Sequence, residues 1–168
     1  MSAAPIIVTA EMGAADQGWA DRLRAAHFPP ERNVVAAHIT LFHHLPPSLL
    51  AELCDRLRVL VADPPPAARL TDVMLLGRGV AYRVESPALI ALRSQLAEAF
   101  HGLLTPQDSQ PPRLHITVQN KVDPAAARTL HAALAADFVP RALAIAGLAA
   151  WHYRGGPWES AWRGRFRG

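Results

Sequence analysis

Short apolar runs alternate along the chain with stretches whose apolar positions recur every three or four residues, so strands and amphipathic helices are expected to take turns. Residues 6–10 read as a strand, 19–28 as a helix, and 34–45 as a strand stopped by Pro46 and Pro47. Ser48 is placed to cap the next helix, in which Leu50, Leu53, Leu57 and Val61 keep helical spacing until Pro64, Pro65 and Pro66 stiffen the connection. Residues 70–76 and 80–85 read as two strands joined by the turn Gly77-Arg78-Gly79. Leu89, Leu92, Leu96, Phe100 and Leu103 then trace a helical stripe. After a proline-rich loop, residues 113–122 read as a strand, and Asp123-Pro124 suits the cap and first turn of a helix carrying Leu130, Leu134 and Phe138. Residues 142–153 and 160–166 read as closing strands around Gly155-Gly156-Pro157.

Part of this pattern occurs twice. His38-Ile39-Thr40-Leu41 falls on His115-Ile116-Thr117-Val118, Pro47 falls on Pro124, and Leu53 and Leu57 fall on Leu130 and Leu134, each 77 residues on and without a gap. A strand followed by a helix is thus repeated in one register. The expected architecture is an α+β fold made by bilobal, pseudo-two-fold duplication: one domain over residues 1–168, with two small antiparallel sheets facing a central cleft and helices outside. A doubly wound parallel sheet is the second reading of alternating strands and helices. The glycine turn and the two closing strands read as hairpins and favour the first.

With 168 residues and 51% hydrophobic content, the chain can bury one good core. A net charge of +3 and a pI near 9.7 favour an anionic partner without requiring a nucleic-acid groove. The excess gathers near the end, where Arg154, Arg163, Arg165 and Arg167 face a single Glu159: an anion-facing edge, or a solvated strand edge blunted by charge. The lone cysteine, Cys54, excludes an internal disulfide framework and suits a reducing compartment; among Leu50, Leu53, Leu57 and Leu60 it reads as packing. The first residues lack the basic start of a signal peptide and no apolar run reaches membrane-spanning length, so a soluble, cytoplasmic protein is expected.

The repeat is what carries chemistry. Alternate side chains of a strand share a face, so His38 points with Thr40 and His115 with Thr117. An imidazole with an ordinary pKa near 6.5 gives or takes a proton at neutral pH, and a neighbouring hydroxyl can hydrogen-bond a phosphate oxygen. Two such pairs face to face supply a base, an acid and oxygen donors for in-line attack on a phosphodiester. A single His-x-Thr on a strand is ordinarily packing or surface; two copies at matching places are not explained that way. The same parity nominates Phe42, His44, Gln119 and Lys121 as further cleft-lining residues; His44 and Lys121, about 13 Å along the strand and out of reach of the phosphate, either line the cleft mouth or are ordinary solvated strand ends. Phe42 can stack on a nucleobase, though core packing is its better reading, and His43 falls on the opposite face as a packed or exposed histidine. His38, His43, His44 and His115 lack a neighbouring carboxylate or cysteine, which argues against zinc. Neither a Gly-x-Ser-x-Gly elbow nor a phosphate loop is present.

The two segments His38-Ile39-Thr40-Leu41 and His115-Ile116-Thr117-Val118 resemble the paired motifs of the 2H phosphoesterase superfamily, in particular its 2′-5′ RNA ligase-like branch. The element order is similar over essentially the whole chain, and Tyr153-Arg154-Gly155-Gly156-Pro157-Trp158 is reminiscent of bacterial members. That resemblance implies both histidines in a central cleft, no metal and no cofactor. It implies hydrolysis of 2′,3′-cyclic phosphates or related phosphodiesters of RNA ends or nucleotides, with ligation as the reverse. His38 would be the proton donor to the leaving oxygen, His115 the base that activates water, and Thr40 and Thr117 the phosphate holders; near-symmetry lets the two roles exchange. Substrate choice would lie in residues 102–112 and 155–158. The protein is expected to act as a monomer, away from membranes. A noncatalytic RNA- or nucleotide-binding module of the same fold is the alternative, but binding alone needs neither acid nor base.

Overall fold

A computed structural model describes residues 4–167. The alternation of patterns becomes β1 (Ile6–Met12), α1 (Ala14–His27), β2 (Ile39–Leu45), α2 (Leu50–Leu60), β3 (Ala68–Leu75), β4 (Val80–Glu85), α3 (Pro87–Ala99), β5 (His115–Gln119), α4 (Pro124–Asp137), β6 (Arg141–Leu143), β7 (Ile145–His152) and β8 (Glu159–Arg165), with 3₁₀ turns at Pro30–Arg32 and Pro47–Leu49. The strands form a sheet in the order β6-β3-β4-β5-β2-β1-β7-β8, and every adjacent pair is antiparallel. The fold is therefore mixed α+β, and the doubly wound parallel reading falls.

In place of two separate sheets, the strands make one that is continuous across its centre. The junction is slight: β2 and β5 share the single register pair Ile39↔Ile116. On one side stand β5, β4, β3 and β6, on the other β2, β1, β7 and β8. Helix α1 packs on β5 and α4 on β3. Tyr82, the register partner of Ile116, packs edge-on against Trp19 of α1 at 4.8 Å between centroids and lies 5.7 Å from the Phe138 ring. The isoleucines thus belong to the helix-covered side, where Ile6, Val8, Ile39, Leu70, Ile116 and Leu148 are fully buried.

Several boundaries differ from the pattern. Residues 34–38 are a loop, and β2 begins only at Ile39. Ser48 does not cap α2: the prolines drive a 3₁₀ turn over Pro47–Leu49, and Leu49 takes the cap position with no side-chain bond. Asp123 does hold the cap position of α4 with Pro124 following, again without a side-chain bond. The stretch read as one strand over 142–153 breaks at Ala144, because Asp16 of α1 accepts both the Ala144 N–H at 2.8 Å and Arg141 Nη1 at 2.7 Å. Cys54 is buried in α2, and burial pushes its thiol pKa up, consistent with packing. No helix among the described residues is long and apolar enough to cross a membrane.

Candidate active site

His38 immediately precedes β2 and His115 opens β5, the two central strands. Antiparallel pairing of Ile39 with Ile116 sets His38 across from Thr117 and Thr40 across from His115, so each histidine faces the other segment's threonine. Since Ile39 and Ile116 point into the helix-covered core, these four flanking residues project from the other face. There they line one cavity of about 210 Å³, together with Ile7, His43 and Trp158.

Both imidazoles are fixed by the same local bond. Nδ1 of His38 lies 2.8 Å from the Ala36 carbonyl oxygen, and Nδ1 of His115 lies 2.6 Å from that of Arg113, in each case two residues back. A carbonyl can only accept, so each Nδ1 carries the proton and each Nε2 is the ring nitrogen left for the cavity. Their surroundings then diverge. Trp158 lies against His38, 4.5 Å between ring centroids. Burial is the main cause that brings the His38 pKa down to about 4; Arg24, His115 and His43 add to the fall, and the Ala36 bond opposes it. At pH 7 the ring is neutral, with a lone pair on Nε2.

Alternation fails just beyond each threonine. Between Thr9↔Thr40 and Val8↔Phe42, β2 holds an extra residue, Leu41; between Ala81↔Thr117 and Val80↔Gln119, β5 holds an extra residue, Val118. These two bulges are themselves 77 residues apart. Past them the faces exchange, and with them the places of the residues that parity assigns. Phe42 is fully buried, with the Arg93 guanidinium 4.2 Å from its ring centroid. Gln119 is buried as well, its Oε1 without a partner. His44 and Lys121 are exposed but do not line the cavity; Lys121 lies beyond the end of β5 with φ 64°. His43, expected on the far face, does line it.

Two buried arginines brace the bulged strands from the helices. Arg93 of α3 donates Nε to the Leu41 carbonyl at 3.0 Å and Nη2 to the Asp108 carbonyl; Arg24 of α1 donates Nη1 to the Thr117 carbonyl at 3.0 Å and Nε to Asn33 Oδ1 at 3.0 Å. Sequence reasoning missed Arg24 and Arg93, because nothing local to them signals what they meet; Asp108 and Trp158 fall in the two stretches, 102–112 and 155–158, expected to govern substrate choice, but were not singled out there. Among the described residues, no group of three or more His, Cys, Asp or Glu is placed to hold a metal ion.

A repeated His-x-Thr pair at the junction of two half-sheets is matched at the level of the whole sequence, since residues 13–157 fit the family model of the 2′-5′ RNA ligase superfamily. The chain belongs to the 2′-5′ RNA ligase superfamily. The resemblance to 2H phosphoesterases read from the two segments is thereby borne out, and the superfamily is one of phosphoesterase-type activity. No curated protein matches the chain. Solved structures share its fold at low identity. TT0787 of Thermus thermophilus is 16% identical with a TM-score of 0.65 and 98% of each chain covered. E. coli LigT complexed with 3′-AMP is 18% identical with a TM-score of 0.59, over 98% of this chain and 99% of that one. LigT complexed with NADP+ is 18% identical with a TM-score of 0.58 over the whole of both.

In this member of the superfamily the cavity adjoins a larger groove of about 850 Å³, which shares His38 and Trp158 with it. Arg163 and Arg165 of β8 line that groove with Trp151, Glu11 and Asp21. Arg163 is paired with Glu11 at 2.7 Å, and Trp151 Nε1 donates to Thr9 Oγ1 at 3.0 Å. Of the arginines clustered near the chain's end, two therefore face the groove, while Arg154 pairs with Glu159 at 3.1 Å.

Proposed function

We propose that the protein is a metal-independent phosphodiesterase that opens 2′,3′-cyclic phosphates of RNA ends or nucleotides, with 2′-5′ ligation as the reverse. The observation that carries this reading is the duplicated site: two imidazoles with Nε2 left for the cavity, each across from the other segment's threonine, around one cavity. The nucleotides that LigT binds, 3′-AMP and NADP+, support a nucleotide or RNA substrate.

The ionisation of His38 argues for exchanging the roles that the resemblance implies. With a pKa of about 4, only about one His38 in 10³ carries the second proton at pH 7, a poor resting state for a donor and the right one for an acceptor. In the proposed step, His38 Nε2 takes a proton from water as its oxygen bonds to phosphorus. The phosphorus bond to the leaving ribose oxygen breaks, and His115, which enters this step protonated on both ring nitrogens, gives that oxygen its Nε2 proton and keeps the one on Nδ1. Thr40 and Thr117 donate to the non-bridging oxygens as negative charge builds on them. A phosphomonoester and a free hydroxyl result, and proton exchange with solvent resets both rings.

The test is hydrolysis of 2′,3′-cyclic nucleotides in EDTA. His38→Ala and His115→Ala should each lower kcat by about 10² to 10⁴ with the fold intact by circular dichroism. Full activity in both variants would sink the proposal, and loss of wild-type activity on adding EDTA would make it a metal enzyme. Turnover of none of a panel of cyclic and linear phosphodiesters would leave a binding module.

A further inference from the structure

A third imidazole opens into the cavity, and the bulge in β2 is what puts it there. His43 sits three residues past Thr40, on what unbroken alternation makes the far face; the extra residue Leu41 returns it to the face of His38 and Thr40. Behind it lies Asp108, fully buried in the connection between α3 and β5. Asp108 accepts the backbone N–H of His43 on Oδ1 at 2.8 Å and that of His44 on Oδ2 at 2.9 Å, and the His43 ring Nδ1 lies 3.3 Å from Oδ1. Burial alone would push this carboxyl up, but the His43 ring and the two backbone N–H groups outweigh it and hold the pKa below its ordinary value. Asp108 is thus a carboxylate at neutral pH. A carboxylate can only accept, so the proton on the shared line belongs to Nδ1, and Nε2 of His43 is the free nitrogen.

The bond to the ring is not needed to hold the loop, because the two shorter backbone bonds already tie Asp108 to β2. Nor does the ring fill the core: its side chain is 46% exposed and lines the cavity. The repeat is broken at this position. The residue 77 further on, Asn120, turns Oδ1 to the Lys121 N–H and takes no part in the cavity. To donate from Nε2 while Nδ1 donates to Asp108, the ring binds phosphate as the imidazolium, with the Asp108 carboxylate behind it and the phosphate before it.

We propose that His43, oriented by Asp108, is a third phosphate-binding residue of this site, its Nε2 donating to a non-bridging oxygen of the bound phosphate beside Thr40 and Thr117. This rests on the phosphodiesterase reading for its substrate, but inorganic phosphate serves as an independent probe. The experiment compares wild type, His43→Ala and His43→Gln in calorimetric titration with inorganic phosphate and in steady-state hydrolysis of a 2′,3′-cyclic nucleotide. A hydrogen bond from a charged donor implies that His43→Ala weakens phosphate binding roughly 10- to 100-fold. KM should rise with it while kcat changes much less and thermal stability holds, since the lost contact serves ground and transition states alike. His43→Gln, which keeps an N–H donor, should recover part of the affinity. Wild-type phosphate affinity and KM in His43→Ala would overturn the proposal, and with turnover still lost in His38→Ala the phosphodiesterase reading would survive. Absence of phosphate binding by the wild type would overturn it too. If the wild type turned over no phosphodiester yet lost phosphate binding on His43→Ala, the assignment of His43 would stand and the activity would fall.

Discussion

His38 and His115 keep the same hydrogen bond to a carbonyl two residues back, and Trp158 lies against the His38 ring. The desolvation that lowers His38 to about 4 also has a cost in stability. Unfolded, the residue titrates near 6.5, so as pH falls between about 6.5 and 4 the unfolded chain binds a proton that the folded chain refuses. Stability attributable to this group is therefore complete above pH 6.5, declines through that window, and changes no further below about 4. His38→Asn keeps a polar side chain of similar reach and removes the titration. Chemical denaturation across pH 7 to 4 should show a shallower loss of stability in the variant than in the wild type; equal slopes would mean that His38 protonates freely in the folded protein.

At the scale of elements, the two bulges decide which side chains the cleft receives, and each is held by an arginine from a helix. Arg93 satisfies the carbonyls of Leu41 and Asp108 and covers Phe42. Arg93→Met fills similar volume but leaves both carbonyls without a donor, at about 1–3 kcal/mol each. The variant should unfold at lower denaturant with an unchanged slope, and should bind inorganic phosphate more weakly as His43 loses its seat; a wild-type denaturation midpoint would refute the brace. The same bulges mark where sequence reading stopped working. Alternation over three residues is reliable, so His38 with Thr40 and His115 with Thr117 were legible as pairs on one face. Alternation carried further was not, because Leu41 and Val118 are ordinary strand residues with no glycine or proline to signal an extra residue. Hence parity puts Gln119 on the wrong side and passes over His43, while Phe42 packs in the core, the better of its two readings. The constant offset of the repeat did hold information about the error, since it carried the bulge from one strand to the other. The break at Ala144 had no local signal either, being imposed by Asp16 from α1.

For the molecule as a whole, the course of the chain ties the two halves of the sheet together. The order β-α-β-α runs twice, through β1, α1, β2 and α2, then β4, α3, β5 and α4. Yet the chain crosses to the other half after each run: β3, next after the first, pairs with β4, and after the second β6 stays beside β3 while β7 goes over to pair with β1. β6 and β7 stand six places apart in the strand order, roughly 29 Å on a flat sheet. Only Ala144 lies between them, a reach of at most about 7.6 Å. The sheet must therefore curl until the sides bearing β3 and β1 approach, with Asp16 fastening the joint. A half that unfolded would take a strand from the other with it, so the chain should melt in one step. Leu70 of β3 and Leu148 of β7 are fully buried in opposite halves, and Leu→Ala at such sites costs about 2–5 kcal/mol. In a protein of this size that lowers the midpoint by roughly 4–20 °C. Calorimetry on Leu70→Ala and Leu148→Ala should show a single transition moved down in each variant, with the calorimetric and van't Hoff enthalpies in agreement. A second transition that stays at the wild-type temperature in either variant would mean that the halves fold independently, despite the strand each draws from the other's run.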